Sequence, residues 1–367
     1  MTGPVFPRRE EEITADLMTG TLAVQHPGVV VDDVQIVSVK RCGEGIASTA
    51  DRMVLRVAYA AGHDAGLPER MVLKTMLAAP HAPGEMFETE VRFYNEIRPD
   101  LAVETPRCFG AGFDPATGQF GLLLEDLALR GARFPNATEE VTVTEVAALL
   151  QQLARLHAGF WKSPRLRTDL GWVATPSSGG MSQIFERHGL ALISDQVAKH
   201  PFKSDLIAPL RRDLRELWSA LSAARRILAA APTTLLHGDP HLGNTYLLPG
   251  GAGGLLDWQL QVRGCWAHDV VYLLATALPP SVRRNEGRRL LAGYLDALIA
   301  DGVRDAPALD EAWEWCRRAV LWGLVIGWLI TPPENYGVDI TVANTTRMVQ
   351  AVQDLDALAA VADGPPN

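Results

Sequence analysis

The sequence predicts an α+β chain in two parts, a small strand-rich first part carrying one helix and a larger, mainly helical second part. Up to about Leu127 the apolar residues come in short β-branched or aliphatic runs broken by Gly, Pro and Asp. Within that stretch one segment switches to helical spacing, and beyond Asp126 long amphipathic stretches take over. The 367 residues, 47% hydrophobic and 21% charged, suffice for two lobes with a core in each.

Strands are expected at residues 34–39, 53–59, 70–76 and 120–125, where Val, Ile, Leu and Met cluster between turn-forming residues. The inserted helix is expected at residues 85–97, where Phe87, Val91, Tyr94 and Ile97 share one face. This assigns residues 1–127 to the first part, with a hinge at about 124–127, and residues 128–367 to the second. There Val146, Leu149, Leu150, Leu153, Leu156 and Phe160 line one helix face, and Thr144 is expected as its cap. Further helices are expected at 206–230, 268–278, 284–300, 309–330 and 341–362. Residues 175–180, Thr-Pro-Ser-Ser-Gly-Gly, have loop chemistry and are expected as a mobile insertion near a site. No internal repeat is visible.

Composition removes several function classes. With 34 Lys and Arg against 43 Asp and Glu, the net charge of −9 offers no broad attraction for nucleic acid. Cys42, Cys108, Cys265 and Cys316 lie far apart without a Cys-x-x-Cys pair, so neither a zinc site nor a disulfide framework is expected, and a reducing, cytoplasmic setting is. Residues 1–12 contain no apolar run of the kind a signal peptide or anchor needs. The longest apolar run, 319–330, is far shorter than the ~20 residues of a spanning helix and reads as a buried helix. No membrane partner is expected, and the oligomeric state is not indicated.

The chemistry concentrates in Leu235-Leu236-His237-Gly238-Asp239-Pro240-His241-Leu242-Gly243-Asn244 and, after the strand-like residues 245–248, Gly254-Leu255-Leu256-Asp257-Trp258-Gln259. A hairpin between Asn244 and Asp257 would bring the chain back to its starting point and gather a carboxylate, a carboxamide and a second carboxylate. Phosphoryl transfer needs such a set: one carboxylate beside the attacking hydroxyl, and oxygen ligands for the magnesium ion on a nucleoside triphosphate. Singly, His-Gly-Asp reads as a turn and Asp257 as a helix cap. Jointly, with Asn244 five residues after Asp239 and Asp257 eighteen after it, they resemble a kinase catalytic loop.

With these residues the chain resembles the aminoglycoside phosphotransferase and choline kinase superfamily, most closely its ecdysteroid-kinase-like branch. The resemblance extends to Leu124-Glu125-Asp126-Leu127, to the helix ending Leu153-Ala154-Arg155-Leu156-His157-Ala158-Gly159-Phe160-Trp161, to His268-Asp269-Val270-Val271-Tyr272-Leu273-Leu274 and to Thr331-Pro332-Pro333-Glu334. It implies the protein-kinase-like two-lobed fold, ATP as donor, Mg2+ as cofactor and a small-molecule hydroxyl as acceptor. Asp239 would serve the hydroxyl, and Asn244 and Asp257 would hold the metal. His237, Asp269 and His157 are read as bracing residues and not as proton carriers.

The resemblance further implies a strand lysine for the phosphates and a helical acid to orient it, roles that fall to Lys74 and Glu90, with Glu85 and Glu88 as competitors. Gly43-Glu44-Gly45-Ile46-Ala47-Ser48-Thr49 lies between two expected strands, so Gly43, Gly45, Ser48 and Thr49 become candidates for a phosphate-covering loop, although Gly-x-Gly alone is more often a turn. Leu124, Glu125 and Leu127 are candidates for the adenine site; a plain interdomain strand would instead leave Glu125 and Asp126 as solvated charges. For the acceptor, Trp313, Trp315, Trp322, Trp328 and Tyr336 suit an apolar cavity for a bulky or weakly basic alcohol, or simply core. An aminoglycoside or amino-alcohol acceptor would instead require Asp296, Asp301, Asp310, Glu311 or Glu314 to converge on the site. A catalytically silent nucleotide-binding protein is the remaining alternative.

Overall fold

Short alternating runs become a single antiparallel sheet in the computed structural model, which describes residues 6–42, 49–77 and 83–364. The chain divides into two units, one comprising Met1–Asp100 and Thr105–Ala132, the other Leu101–Glu104 and Arg133–Asn367.

In the first unit, helix α1 (Ala15–Ala23), capped by the Thr14 hydroxyl, precedes strands β1 (Val31–Lys40), β2 (Asp51–Tyr59) and β3 (Arg70–Thr75). Helix α2 (Gly84–Arg92) follows, then β4 (Cys108–Phe113) and β5 (Phe120–Glu125). The five strands order β1-β2-β3-β5-β4, every neighbouring pair antiparallel. One face buries Met53, Leu55, Met71, Leu73 and Leu123 together with Met18 and Leu22 of α1. In α2, Phe87 is fully buried and stacks on Phe120 of β5 with ring centroids 4.2 Å apart. Strand β5 is covered on both faces and therefore reads as an unbroken apolar run.

Residues 85–97 divide into α2 and a π-helical turn, Phe93–Ile97. Neither β4 nor α1 is expected from the sequence. Phe109-Gly110-Ala111-Gly112 has weak strand propensity, and pairing with the buried β5 overrides it.

The second unit carries α3 (Val143–Gly159), α4 (Gly180–Lys199), α5 (Phe202–Ile207) and α6 (Leu214–Leu228). Four short strands follow, β6 (Thr233–Leu236), β7 (Thr245–Leu247), β8 (Gly253–Leu255) and β9 (Val262–Cys265). Then come α7 (Ala267–Ala277), α8 (Pro280–Ala300), α9 (Leu309–Ala319), α10 (Val338–Asp354) and α11 (Ala357–Ala362). Strands β6 and β9 pair, as do β7 and β8. Helix α7 is buried at all of its residues, and α3 packs against both α7 and α8.

Several expected boundaries are corrected. The cap of α3 is Thr142, not Thr144, because Thr142 and Glu145 close a reciprocal capping box while Thr144 lies inside the first turn. The helix expected at 206–230 is broken by a 3-10 turn containing Pro209 and by Arg211 at φ 51°, and α6 restarts at Asp213 with its own capping box. The helix expected at 341–362 divides at Asp356, φ 47°. Residues 309–330 are α9 followed by a π-helical segment, Gly323–Leu329. Helix α4 escaped the sequence reading because its apolar residues do not gather on one face.

Candidate active site

The chain leaves β6 directly into His237-Gly238-Asp239. Gly238 takes φ 87°, and a Cβ there would lie 2.0 Å from the Leu260 carbonyl oxygen, so glycine alone lets this turn approach the one that follows Asp257. His237 donates from Nε2 to the Leu256 carbonyl at 2.8 Å and accepts the Asp239 N–H on Nδ1 at 3.3 Å, partners that fix a neutral ring. Burial lowers its pKa in the same direction. From the other side, the buried Asp269 carboxylate of α7 accepts the N–H groups of His237 at 2.7 Å and Gly238 at 3.0 Å, and bonds His157 at 3.1 Å. His268 donates to the Gly238 carbonyl at 2.8 Å. His237, Asp269 and His157 therefore sit where bracing residues belong.

Asn244 closes the 3-10 turn Leu242–Asn244 and donates from Nδ2 to the Asp239 carbonyl at 2.9 Å and to Asp239 Oδ2 at 3.0 Å. Hairpin β7–β8 then returns the chain, and Leu256 N–H meets the Asn244 carbonyl at 2.8 Å. That contact places Asp257, at φ 62° and ψ 76°, beside the same turn. A non-glycine residue in this region costs about 1–2 kcal/mol, which the surrounding structure must offset.

The Asp239 side chain keeps 14% of its exposure. Burial raises its carboxyl well above the ordinary carboxylate range, and the neighbouring charge of Asp257 adds to the rise. The Tyr272 hydroxyl and Asn244 oppose it. Tyr272 is close enough to act on the carboxylate, although its hydroxyl is not aligned for a hydrogen bond of good geometry.

The donor set suits a hard cation. Asp257 offers carboxylate oxygens, and Asn244 spends its amide nitrogen on Asp239, which turns its carboxamide oxygen away from that bond. Among the described residues no group of three or more His, Cys, Asp or Glu side chains could hold a metal by itself. Magnesium, which binds through one or two carboxylates and completes its shell with phosphate oxygens and water, fits so sparse a set.

Beside Asp239 the sequence-predicted aromatic residues divide. His241, its Nε2 3.7 Å from Asp239 Oδ2, lies edge-on to Trp328 at 5.5 Å and to Tyr336 at 5.2 Å between ring centroids. Tyr272 continues the group to Trp322 at 5.6 Å. Trp313 lies instead beneath Arg288, and Trp315 is buried in α9. Burial pushes the His241 ring down to about 3, so it is neutral at physiological pH. Of the candidate acids, Asp310 pairs with Arg288, Glu314 with Arg317 and Arg318, and Glu311 accepts from Trp315. Asp296 and Asp301 are exposed. These acids thus face their own helix, the neighbouring helix α8 or solvent.

In the first unit, Lys74 of β3 and Glu90 of α2 form a buried pair at 2.7 Å with side-chain exposures of 4% and 1%. Glu85 and Glu88, the competing acids, are not buried. Thr49 is half-buried ahead of β2, whereas Gly43, Gly45 and Ser48 lie outside the described residues. Leu124 is paired within the sheet, Glu125 accepts the Arg107 N–H at 3.2 Å, and Leu127 opens a 3-10 turn capped by Asp126. Asp126 is 6% exposed and meets Arg70 at 2.6 Å, so it is not a solvated charge.

The sequence reading passed over His241 and gave Tyr272 no role. Tyr272 had a signal, since it stands three residues after Asp269 and so on the same helix face.

The sequence matches the profile of the phosphotransferase enzyme family over residues 47–312. No curated protein matches it. Among solved structures, an ethanolamine kinase from Plasmodium vivax is similar at 12% identity, covering 87% of this chain and 81% of that one, with a TM-score of 0.52. A choline kinase from Cryptosporidium parvum is similar at 12% identity over 89% and 90% of the two chains, with a TM-score of 0.51. At such identity the likeness is one of fold, an antiparallel five-stranded sheet with a larger helical part.

Proposed function

From the premise that the chain belongs to the phosphotransferase enzyme family, and so to the small-molecule kinases, we propose that it transfers the γ-phosphoryl group of ATP, with Mg2+, to a hydroxyl of a bulky alcohol that is neutral or weakly basic. The observation that carries this reading is the Asn244 bond to Asp239 Oδ2 at 3.0 Å, with Asp257 near enough to raise the same carboxyl. One carboxylate is thereby oriented for the acceptor hydroxyl while a carboxamide oxygen and a second carboxylate remain for a cation.

In this mechanism Asp239 orients the hydroxyl and takes its proton as the acceptor O–P bond forms and the bond from the γ-phosphorus to the β–γ bridging oxygen breaks, releasing ADP. Asn244 fixes the rotamer of Asp239, and Asn244 and Asp257 would hold the magnesium ion, whose charge would neutralise the phosphate oxygens. Lys74, oriented by Glu90, contacts the α- and β-phosphates, and residues 43–49 cover them, with Gly43, Gly45, Ser48 and Thr49 as donors. Leu124, Glu125 and Leu127 border adenine. No covalent phosphoenzyme is required.

An apolar acceptor is supported by the aromatic group of His241, Tyr272, Trp328 and Tyr336 and by the engagement of the candidate acids elsewhere. We place the chain within the ecdysteroid-kinase-like branch on the motifs given above, and in the cytoplasm, where its four free thiols would persist. No helix is long and apolar enough to cross a membrane.

The test is ADP release with ATP and magnesium against hydroxylated steroids, terpenoid alcohols, sugars, amino alcohols and aminoglycosides, with Asp239→Ala as control. Stimulation by a steroid or terpenoid alcohol, lost in Asp239→Ala, is expected. Stimulation confined to aminoglycosides would replace the acceptor class. Bound nucleotide with no turnover on any alcohol would favour a silent binding protein.

A further inference from the structure

Behind the turn that carries Asp239, β6, β9 and α6 wall a cavity of about 180 Å³. An apolar cavity of roughly 150 Å³ admits a benzene ring, so this one has room for a six-carbon body. Leu221 and Leu228 of α6, Leu236 of β6 and Trp322 supply apolar walls, and Thr175, Pro176 and Ser177 form its edge. Within this edge, Thr175 N–H and hydroxyl both bond Ser178 Oγ, and the Ser182 hydroxyl donates to the Pro176 carbonyl at 3.0 Å. The ring of Pro176 rests over Gly264, where a Cβ would stand 3.4 Å from it. A second cavity of about 240 Å³ adjoins the first, sharing Thr175, Thr233 and Arg263.

The charge lining these cavities is of one sign. Arg225, Arg263 and Arg318 line the first, Lys162, Arg167 and Arg263 the second, and no described carboxylate lines either, in a chain whose net charge is −9. Two of these cations are matched, Arg318 by Glu314 and Lys162 by Asp305. Among the described residues neither Arg225 nor Arg263 forms an ion pair; Glu186 acts on Arg225 from beyond ion-pair distance, and Arg225 Nε is buried without a hydrogen-bond partner. A guanidinium nitrogen left unpaired away from water is costly unless an acceptor arrives. Burial lowers the pKa of Arg225, with the charge of Glu186 opposing.

We propose that this cavity binds a small amphipathic anion, its carboxylate or phosphate held by Arg225 and Arg263 and its apolar body lodged between α6 and Trp322. His268 also lines the cavity and donates to the Gly238 carbonyl, so an occupant touches the residue that holds the catalytic turn. The site is separate from the proposed reaction chemistry, and its occupancy does not depend on the assignment of Asp239.

Calorimetric titration of the full chain with hexanoate, hexyl phosphate, hexanol and hexylammonium tests this. Hexanoate and hexyl phosphate are expected to bind at least about tenfold more tightly than the other two, and Arg225→Met with Arg263→Met to remove that preference while leaving hexanol binding unchanged. Excess ATP with magnesium should leave hexanoate in place. Equal affinity for all four probes, an unchanged preference in the double variant, or displacement of hexanoate by ATP would each overturn the proposal. Should Arg225→Met fail to fold, Arg263→Met alone decides, with Arg225→Lys expected to keep a weakened preference for the anions.

Discussion

The Asp269 carboxylate accepts the Gly238 N–H at 3.0 Å across 31 residues of sequence, anchoring the turn that carries Asp239 from a helix buried at every residue. Burial alone would raise this carboxyl, but the hydrogen bond with His157 and the surrounding histidines hold it below its ordinary value. A lowered carboxyl contributes stability above the usual carboxylate range, and that contribution is lost as pH falls through its folded value. Asp269→Asn would turn an amide donor toward one of two N–H donors. It is expected to cost roughly 3 kcal/mol in urea unfolding and to lower kcat more than it raises KM. An unchanged unfolding midpoint would mean that the turn holds its shape without Asp269.

Gly238→Ala tests the same turn from the front. A methyl group there meets the Leu260 carbonyl at 2.0 Å, and the backbone stays at a positive φ. The variant is expected to lose at least about 2 kcal/mol of stability and most of its phosphotransfer. Wild-type stability in Gly238→Ala, measured by denaturant unfolding, would contradict the close approach of the two turns.

The site was more legible in the sequence than the fold's details. Asp239, Asn244 and Asp257 meet through local chemistry alone, one 3-10 turn and one short hairpin, so their spacing sufficed to bring them together. Lys74 and Glu90 required only that a strand and a helix be recognised, although 16 residues separate them. What stayed hidden depended on tertiary context. Strand β4 owes its existence to pairing with β5, and α4 lacks a one-sided apolar stripe. Nor did periodicity separate Trp328, which joins the group at His241, from Trp315, buried in α9; that difference arises from the π-helical turn after α9.

Lys74 and Glu90 offer a way to divide stability from activity. Each is buried, so removing one takes away the opposite charge that the other meets at 2.7 Å, and Lys74→Met or Glu90→Leu alone is expected to cost roughly 3–5 kcal/mol. The double variant Lys74→Met/Glu90→Leu is expected to recover most of that stability while remaining unable to bind nucleotide tightly. A double variant with normal nucleotide affinity would remove Lys74 from the phosphate site.

The two carboxylates of the proposed centre should fail differently. Asp239→Ala is expected to lower kcat by about 10²–10⁴ while nucleotide affinity persists. Asp257→Ala is expected to abolish the gain in nucleotide affinity that magnesium gives, read by titration with and without EDTA. If Asp239→Ala turns over normally, another group must take the proton.

Lys203 provides the clearest pH signature. Its ammonium is fully buried and donates to the carbonyls of Trp328 at 3.2 Å, Leu329 at 2.9 Å and Thr331 at 2.7 Å, closing the π-helical segment that presents Trp328 to His241. Burial pushes it down to about 8 from 10.5, with Glu334 opposing. Between those values the unfolded chain binds more protons than the folded one, so stability from this group rises with pH across the window and is constant below it. The full gain is at most about 3 kcal/mol. Compared by urea unfolding at pH 7.5 and pH 10, the stability of the native chain relative to Lys203→Met is expected to increase at the higher pH. A difference that stays the same at both would show that the three carbonyls hold the ammonium at its ordinary proton affinity, and that burial there carries no net penalty.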